Sequence, residues 1–388
     1  MITVAILDGQ TIQALPVAKS LKKLGYYVIL LCETKNSYGY NTKYADKRLI
    51  FPSTKKDNIS NYHESLMQLI VNNKIDVIIP MNDDSARYMS LYKKQIATYT
   101  NCIIPNYKTF MKGYDKNQLM NLCFENNFPH PRTIDLSIPE IEIAHANISF
   151  PALIKPNETS GARGFAIVNS VEKMRSKLPQ IVKEYGNCHL QEYIPPGGKQ
   201  FKVELFVYKK ELINSTVIHK MRFYPEKGGS SCFNQTIDRK DLVQLCYKVL
   251  KKINWEGFAD FDLIEDPRDN IIKIMEINPR IPACIKASYS AGVDFAENIV
   301  STSLKLTPKK FNYTPGTYLR YLGLDFLWFV KSKNRFKTKP KWFNQLFSSH
   351  QSLQDGSLDD LKPFIYGTIG SLLKQLDPRF RATKKGMN

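Results

Sequence analysis

The 388 residues carry 55 Lys/Arg against 36 Asp/Glu, a formal net charge of +19, with 43% hydrophobic and 23% charged residues. A chain of this size suits two or three packed domains, and its apolar content excludes disorder as the general state. No apolar run reaches the roughly 20 residues that cross a bilayer, and the chain opens without an n-region, h-region and cleavage-site pattern.

The seven cysteines show no CxxC pairs and no histidines at zinc spacing. They are expected to be reduced structural thiols of a cytoplasmic protein rather than a zinc site. The first ~110 residues alternate apolar strands with helices. Strands are predicted at Thr3–Leu7, Val28–Cys32, Arg48–Phe51, Asp76–Pro80 and Cys102–Pro105, with helices at Ile12–Leu24, stopped by Gly25, and at Tyr62–Val71. Strands that are apolar throughout and separated by helices imply a parallel sheet covered on both faces. The first turn reads Asp8-Gly9-Gln10-Thr11 rather than GxGxxG, which argues against a dinucleotide site.

From Asp115 the texture becomes α+β. A helix over Lys116–Asn126 leads into the Pro-punctuated turn Phe128–Arg132. Short β segments follow at Ala152–Lys155, Phe165–Asn169, His189–Tyr193, Phe201–Tyr208 and Leu212–His219. A helix over Asp241–Ile253 then precedes strands at Gly257–Glu265 and Ile271–Ile277. From Lys305 to the end the chain carries sixteen Lys/Arg against five Asp/Glu, and the residues beyond Lys305 form an appendage. Such a surplus favours an anionic partner, a membrane surface, nucleic acid or a phosphorylated substrate, unless it is a solvated tail.

Two patterns carry chemistry. In the first, Pro151-Ala-Leu-Ile-Lys-Pro156 presents Lys155 on a strand, the loop Asn157–Gly164 crosses over, and Phe165–Val168 returns. Gly- and Ser-containing loops expose N–H groups that cradle phosphate oxygens, with the lysine as a point charge beside them. A hairpin of this kind also occurs without any such role.

In the second, Gly257-Phe-Ala-Asp-Phe-Asp-Leu263 sets Asp260 and Asp262 on one face of a strand, because side chains alternate. Met275-Glu-Ile-Asn-Pro-Arg280 does the same for Glu276, Asn278 and Arg280. Oxygen donors on two strands suit a Mg²⁺ that bridges nucleotide phosphates, and Arg280 is placed to offset charge on a transferred phosphoryl group. Solvated charges on a sheet face would alternate in the same way. The Glu-Ile-Asn-Pro-Arg run so soon after an acidic strand favours the site.

Residues 115–305 resemble the ATP-grasp superfamily, particularly its carboxylate–amine ligase branch, similar to the large subunit of carbamoyl phosphate synthetase. The likeness rests on Asp115-Lys116, Ile154-Lys155-Pro156, Thr159-Ser-Gly-Ala-Arg-Gly164, Leu190-Gln-Glu-Tyr-Ile194, Asp260-Phe-Asp262 and Glu276-Ile-Asn-Pro-Arg280. It implies an α/β and α+β architecture: an ATP-grasp fold (113–305) preceded by a Rossmann-like parallel-sheet domain (1–112) and followed by the basic C-terminal appendage (306–388).

It also implies that Lys116 and Lys155 contact the ATP phosphates, and that the loop with Ser160, Gly161 and Gly164 closes over them. Gln191, Glu192, Tyr193 and Ile194 would form the adenine hinge, with Glu192 accepting from the amino group. Gln200 stands where a ribose-binding glutamate is usual. Asp262, Glu276 and Asn278 would hold one or two Mg²⁺, or Mn²⁺ in its place, and Lys155 and Arg280 would be catalytic, Arg280 stabilising an acyl phosphate. Lys220 and Arg222 are further candidates for a substrate carboxylate. The implied reaction couples a small-molecule carboxylate to an amine at the expense of ATP; the alternatives are an ATP-grasp kinase and a nucleotide-binding module without chemistry. A homodimer is open, and nucleic acid has charge but no motif in its favour.

Tyr321–Val330, followed by six basic residues in Lys331–Lys341, has two readings. One is an interfacial segment that would hold the protein peripherally at the inner face of an anionic membrane. The other, favoured because ten apolar residues suit a core helix, closes the back of the ATP-grasp domain with a basic loop after it.

Overall fold

The computed structural model describes residues 1–54, 59–138, 148–159, 161, 163–226, 229–344 and 350–376, with side chains as far as 369. The chain divides into two compact units: Met1–Phe110, Lys202–Asp260 and Asn278–Leu372 make up the first, and Met111–Phe201 with Phe261–Ile277 the body of the second.

The first unit begins with strands β1 (Thr3–Ile6), β2 (Tyr27–Cys32), β3 (Lys47–Ile50) and β4 (Val77–Ile79), in sheet order β3-β2-β1-β4. β1 pairs in parallel with both neighbours, Val4 opposite Val28 and Val77. The apolar strands stack on the helix Ala14–Lys23, which buries Val17, Ala18 and Leu21, and on Ile299 and Val300 of the helix Phe295–Ser303. Gly25, at φ +83°, ends the first of these helices in a conformation that side-chain-bearing residues avoid. Cys102–Pro105, expected as a fifth strand, is not one: Asn101 makes an isolated parallel bridge to Val77 and pairing stops there. The carbonyls of Ile104 and Pro105 accept from Lys93 Nζ and Ser90 Oγ at 2.5 and 2.9 Å, so side chains take the place of ladder partners.

The second unit holds an antiparallel sheet of β5 (Thr133–Asp135), β6 (Ala152–Pro156), β7 (Ala166–Val168) and β8 (Cys188–Glu192), in order β5-β8-β6-β7. Alternation splits its residues cleanly. Ala152, Ile154, Ala166, Val168, Cys188 and Leu190 form a core with Met174 of the helix Val171–Tyr185. Lys155, His189 and Gln191 stand on the opposite face, since Lys155 pairs with His189 and Leu153 with Gln191 across the ladder.

A third sheet comprises β9 (Gln200–Tyr208), β10 (Glu211–Tyr224), β11 (Ser230–Thr236), β12 (Gly257–Glu265), β13 (Ile272–Asn278), β14 (Tyr318–Arg320) and β15 (Gln351–Leu353), in order β13-β12-β9-β10-β11-β14-β15. β10 runs five residues past its predicted end, through a register shift between Lys220 and Phe223. The extension carries Arg222 into the interior, 3% exposed, where it bonds both Asp325 oxygens and the Pro340 carbonyl at 3.0–3.2 Å. Arg222 is therefore a structural anchor, and the expectation that it meets a substrate carboxylate is corrected.

The apolar run Tyr321–Val330 is a helix, Leu322–Lys331, whose buried residues are Asp325 and Trp328. It packs against β10 and β11 with a basic stretch after it, as expected of a helix closing the back of that sheet, but Phe326, Leu327 and Val330 remain exposed because the buried carboxylate is what faces the protein. Among the described residues no helix is long and apolar enough to cross a membrane.

Candidate functional site

In the second unit two lysines are drawn out of water. Asp115 caps the helix Lys116–Glu125 by accepting from Gln118 N, as expected of an acidic N-cap. The next residue, Lys116, is 6% exposed, donates to the Thr159 carbonyl and lies 3.4 Å from a Glu276 oxygen. Lys155, 7% exposed, donates to the Gln191 side-chain oxygen at 2.5 Å and sits 5.0 Å from the Phe165 ring centroid. A neutral amide and a ring stabilise a cation less than a carboxylate would. Burial accordingly pulls the Lys155 ammonium down to about 8; Glu276 opposes the shift and Lys116 reinforces it.

His189, also fully buried, gives the same face a neutral group. Its Nδ1 is 2.8 Å from Asn157 Oδ1, and its Nε2 has no hydrogen-bond partner. Desolvation first, then Lys155 and Lys116, hold its pKa well below the usual imidazole range. With Nδ1–H donating to Asn157, Nε2 carries a lone pair. Sequence reading took His189 only as a strand residue; its register opposite Lys155 was the available signal.

The hinge residues are consecutive at the end of β8. Gln191 is fixed at both ends of its amide, accepting from Lys155 and donating to Thr133 Oγ1 at 3.3 Å. The Glu192 carboxylate pairs with Arg268 and lies 3.7 Å from Lys273, while accepting from Arg132 N at 3.1 Å. Its side chain is thus engaged, so an acceptor role for Glu192 falls to its main chain. Tyr193 is half-buried and Ile194 buried; Gln200 is half-buried as the first residue of β9.

Gly198 follows in the turn, where a Cβ would stand 1.7 Å from the Glu265 carbonyl oxygen. In the expected flap Ser160 lies outside the described residues, and Gly161 adopts φ +68° with none of the described residues within 4 Å of where a Cβ would stand. Gly164, at φ +73°, is packed: a Cβ there would meet Tyr185 and Pro156 at 2.7 and 2.8 Å.

Glu276 belongs to this unit and is partly exposed; Asp262 is half-buried on β12, two residues beyond Asp260 and on the same face. In the first unit Asn278 and Arg280 come together. Arg280 does not lie on the strand as expected. β13 ends at Asn278, because Pro279 has no N–H for the ladder. The Arg280 guanidinium instead reaches Asp83, Nε to Oδ1 at 3.0 Å, with Nη2 3.5 Å from Asn278 Oδ1.

Asp83 opens the helix Asp83–Leu91, whose N-cap Asn82 forms a capping box with Ser85. The sequence reading missed this helix, although Asn82-Asp-Asp-Ser85 after an apolar strand is an N-terminus signature. Asn278 Nδ2 is 3.4 Å from Asp260 Oδ2, which also receives Lys202 at the same oxygen. Asp260, expected on the same strand face as Asp262, is thus an internal counter-ion to Lys202.

Asp260 is fully buried and Lys202 nearly so. Replacing Asp260 by Ala strands the lysine, and we expect a loss of about 3–5 kcal/mol in unfolding free energy by urea titration; a loss under about 1 kcal/mol would show that water reaches the lysine. Among the described residues no cluster of three or more His, Cys, Asp or Glu side chains could hold a metal ion. All seven cysteines are free thiols, six of them buried.

Residues 114–284 match the family model of the ATP-grasp domain. The D-aspartate ligase of Enterococcus faecium is 24% identical over 224 residues, 53% of this chain and 53% of that protein. The carbamoyl phosphate synthase large chain of Campylobacter jejuni is 22% identical over 297 residues, 72% of this chain but 26% of that protein. The chain thus spans about half the length of the first relative and a quarter of the second. Among solved structures, biotin carboxylase from Campylobacter jejuni in its β,γ-ATP complex superposes with a TM-score of 0.67 at 15% identity, covering 82% of this chain and 74% of that one. The fold is the mixed α/β ATP-grasp fold with a parallel-sheet N-terminal part.

Proposed function

We propose, from the premise that residues 114–284 form an ATP-grasp domain, that the protein is an ATP-dependent ligase that joins a carboxylate to an amine. The observation that carries this reading is the pair of buried lysines, 116 and 155, answered by one carboxylate. A buried cation held by a neutral amide is costly, and the cost is recovered when a polyanion arrives. The name of the related D-aspartate ligase supports the same chemistry.

Lys116 and Lys155 bind the triphosphate, the loop ending at Gly164 excludes water, and the main chain of Gln191–Ile194 receives the base, with Gln200 toward the ribose. Asp262, Glu276 and Asn278 would hold one or two Mg²⁺ ions, which would supply charge neutralisation to the phosphates. Lys155 and Arg280 are the catalytic cations, and Asp83 orients Arg280.

A substrate carboxylate oxygen attacks the γ-phosphorus and the bond to the β–γ bridging oxygen breaks, releasing ADP. The amine then attacks the acyl carbon, loses a proton and expels phosphate, leaving an amide. An acyl phosphate hydrolyses readily, so exclusion of water is a requirement of this route. We assign the domains as 1–112, 113–305 and 306–388.

The test is a phosphate-release screen over pairs of amino acids, with Asn278→Ala as the blank. Release that requires both a carboxylate and an amine, and that falls on the order of a hundredfold in the variant, is the expected result. Transfer of phosphate onto a single acceptor without release would make the protein a kinase. Full activity in Asn278→Ala would remove the metal assignment.

A further inference from the structure

The helix Leu322–Lys331 is built inside out. Its one acidic residue, Asp325, is fully buried, 3.0 Å from Arg222 and 3.3 Å from Arg320. Trp328, one turn on, packs under Arg222 with the guanidinium carbon 4.9 Å from its ring centroid. Turning the helix over would strand two buried arginines, so the ion network fixes which side faces out. That side is apolar: Phe326, Leu327 and Val330 are 54%, 40% and 48% exposed.

The eleven residues that follow, Lys331–Lys341, hold six cations and no acid. Five are exposed and Arg335 is half-buried. Phe336 within this run is 69% exposed and Phe343 just after it 53%. Phe329 is edge-on to both of these rings, at 5.7 and 5.2 Å, so the exposed aromatics belong to one packed cluster rather than to a loose tail.

We propose that this face of the first unit docks on an anionic lipid bilayer, with the exposed apolar side chains entering the headgroup boundary and the basic run meeting lipid phosphates. An exposed apolar patch marks a contact surface, and a helix of ten residues is too short to span. Apolar and aromatic side chains beside a cluster of lysines have the composition of an interfacial element. A second copy of the chain would bring the same six cations to the contact and meet like charge. Nucleic acid would satisfy the cations but offer nothing to Phe326, Leu327 and Val330.

The experiment is co-sedimentation of the full chain with vesicles of phosphatidylcholine alone and of phosphatidylcholine mixed with phosphatidylglycerol. Binding to the mixed vesicles only, weakened by salt, is expected. Each basic residue near such a surface contributes about fivefold, so Lys333→Gln/Lys337→Gln/Lys339→Gln should bind on the order of a hundredfold more weakly. Phe326→Ser/Phe336→Ser should lose the fraction that survives high salt. All five substitutions are on exposed side chains, and unchanged circular dichroism would confirm folding. Equal sedimentation with both vesicle types, none with either, or a triple variant binding like the parent would overturn the proposal. So would tighter binding to duplex DNA than to mixed vesicles, or concentration-dependent dimerisation lost in the Phe326→Ser/Phe336→Ser variant.

Discussion

Glu276→Gln is expected to slow amine-dependent phosphate release by on the order of a hundred- to a thousandfold, with little change in thermal unfolding. The side chain is partly exposed and its ion pair with Lys116 is 3.4 Å long, so the native state does not depend on it heavily. Glutamine keeps the volume and removes the charge. Two consequences follow together: the proposed Mg²⁺ loses one of its two anionic donors, and Lys155 loses the neighbour that holds its pKa up. The variant should therefore need more Mg²⁺ and show its activity maximum at lower pH than the parent. Titrating activity with Mg²⁺ at several pH values checks both. A variant slowed equally at every pH and Mg²⁺ concentration would show that Glu276 acts by some other means.

The parts legible in the sequence were those whose pattern is local. Thr3–Ile6 and Tyr27–Cys32 announce themselves as apolar runs, and Gly257–Glu265 was predicted to the residue. Lys116–Glu125 follows from its acidic N-cap. The helix Val171–Tyr185 was missed although Val171, Met174, Leu178 and Ile181 stand at helical spacing and pack on the core of the sheet; Met174 alone is fully buried and Pro179 interrupts the run. The lysines of the site were found from their loops, but not what surrounds them. That Gln191 holds Lys155, that His189 stands opposite it, and that Arg280 leans on Asp83 depend on strand register and on pairs 34 to 197 residues apart. The same holds for Asp260: alternation put it on a face with Asp262, but only the fold supplies Lys202 as its partner.

Nucleotide affinity should fall as pH rises above about 8, by up to tenfold per pH unit, and be level below that. Burial holds the Lys155 ammonium in the free protein at about 8 instead of the ordinary 10.5. A triphosphate beside it restores the charged form. Binding above pH 8 therefore requires uptake of a proton that is no longer bound, and each further pH unit makes that uptake tenfold harder until the raised pKa of Lys155 in the complex is passed.

The same shift has the opposite sign for folding. Between about 8 and 10.5 the unfolded chain retains the proton and the folded chain does not, so this group makes the protein more stable as pH rises through that window. Below 8 both states are protonated and its contribution is flat. Calorimetric titration with a non-hydrolysable ATP analogue at about pH 7 and about pH 9, in buffers of different ionisation enthalpy, reads the proton uptake directly. Lys155→Met should bind weakly and with no pH dependence across this range. If the parent's affinity is as level as the variant's, the ammonium of Lys155 does not meet phosphate, and the buried positive charge of the second unit has some other purpose.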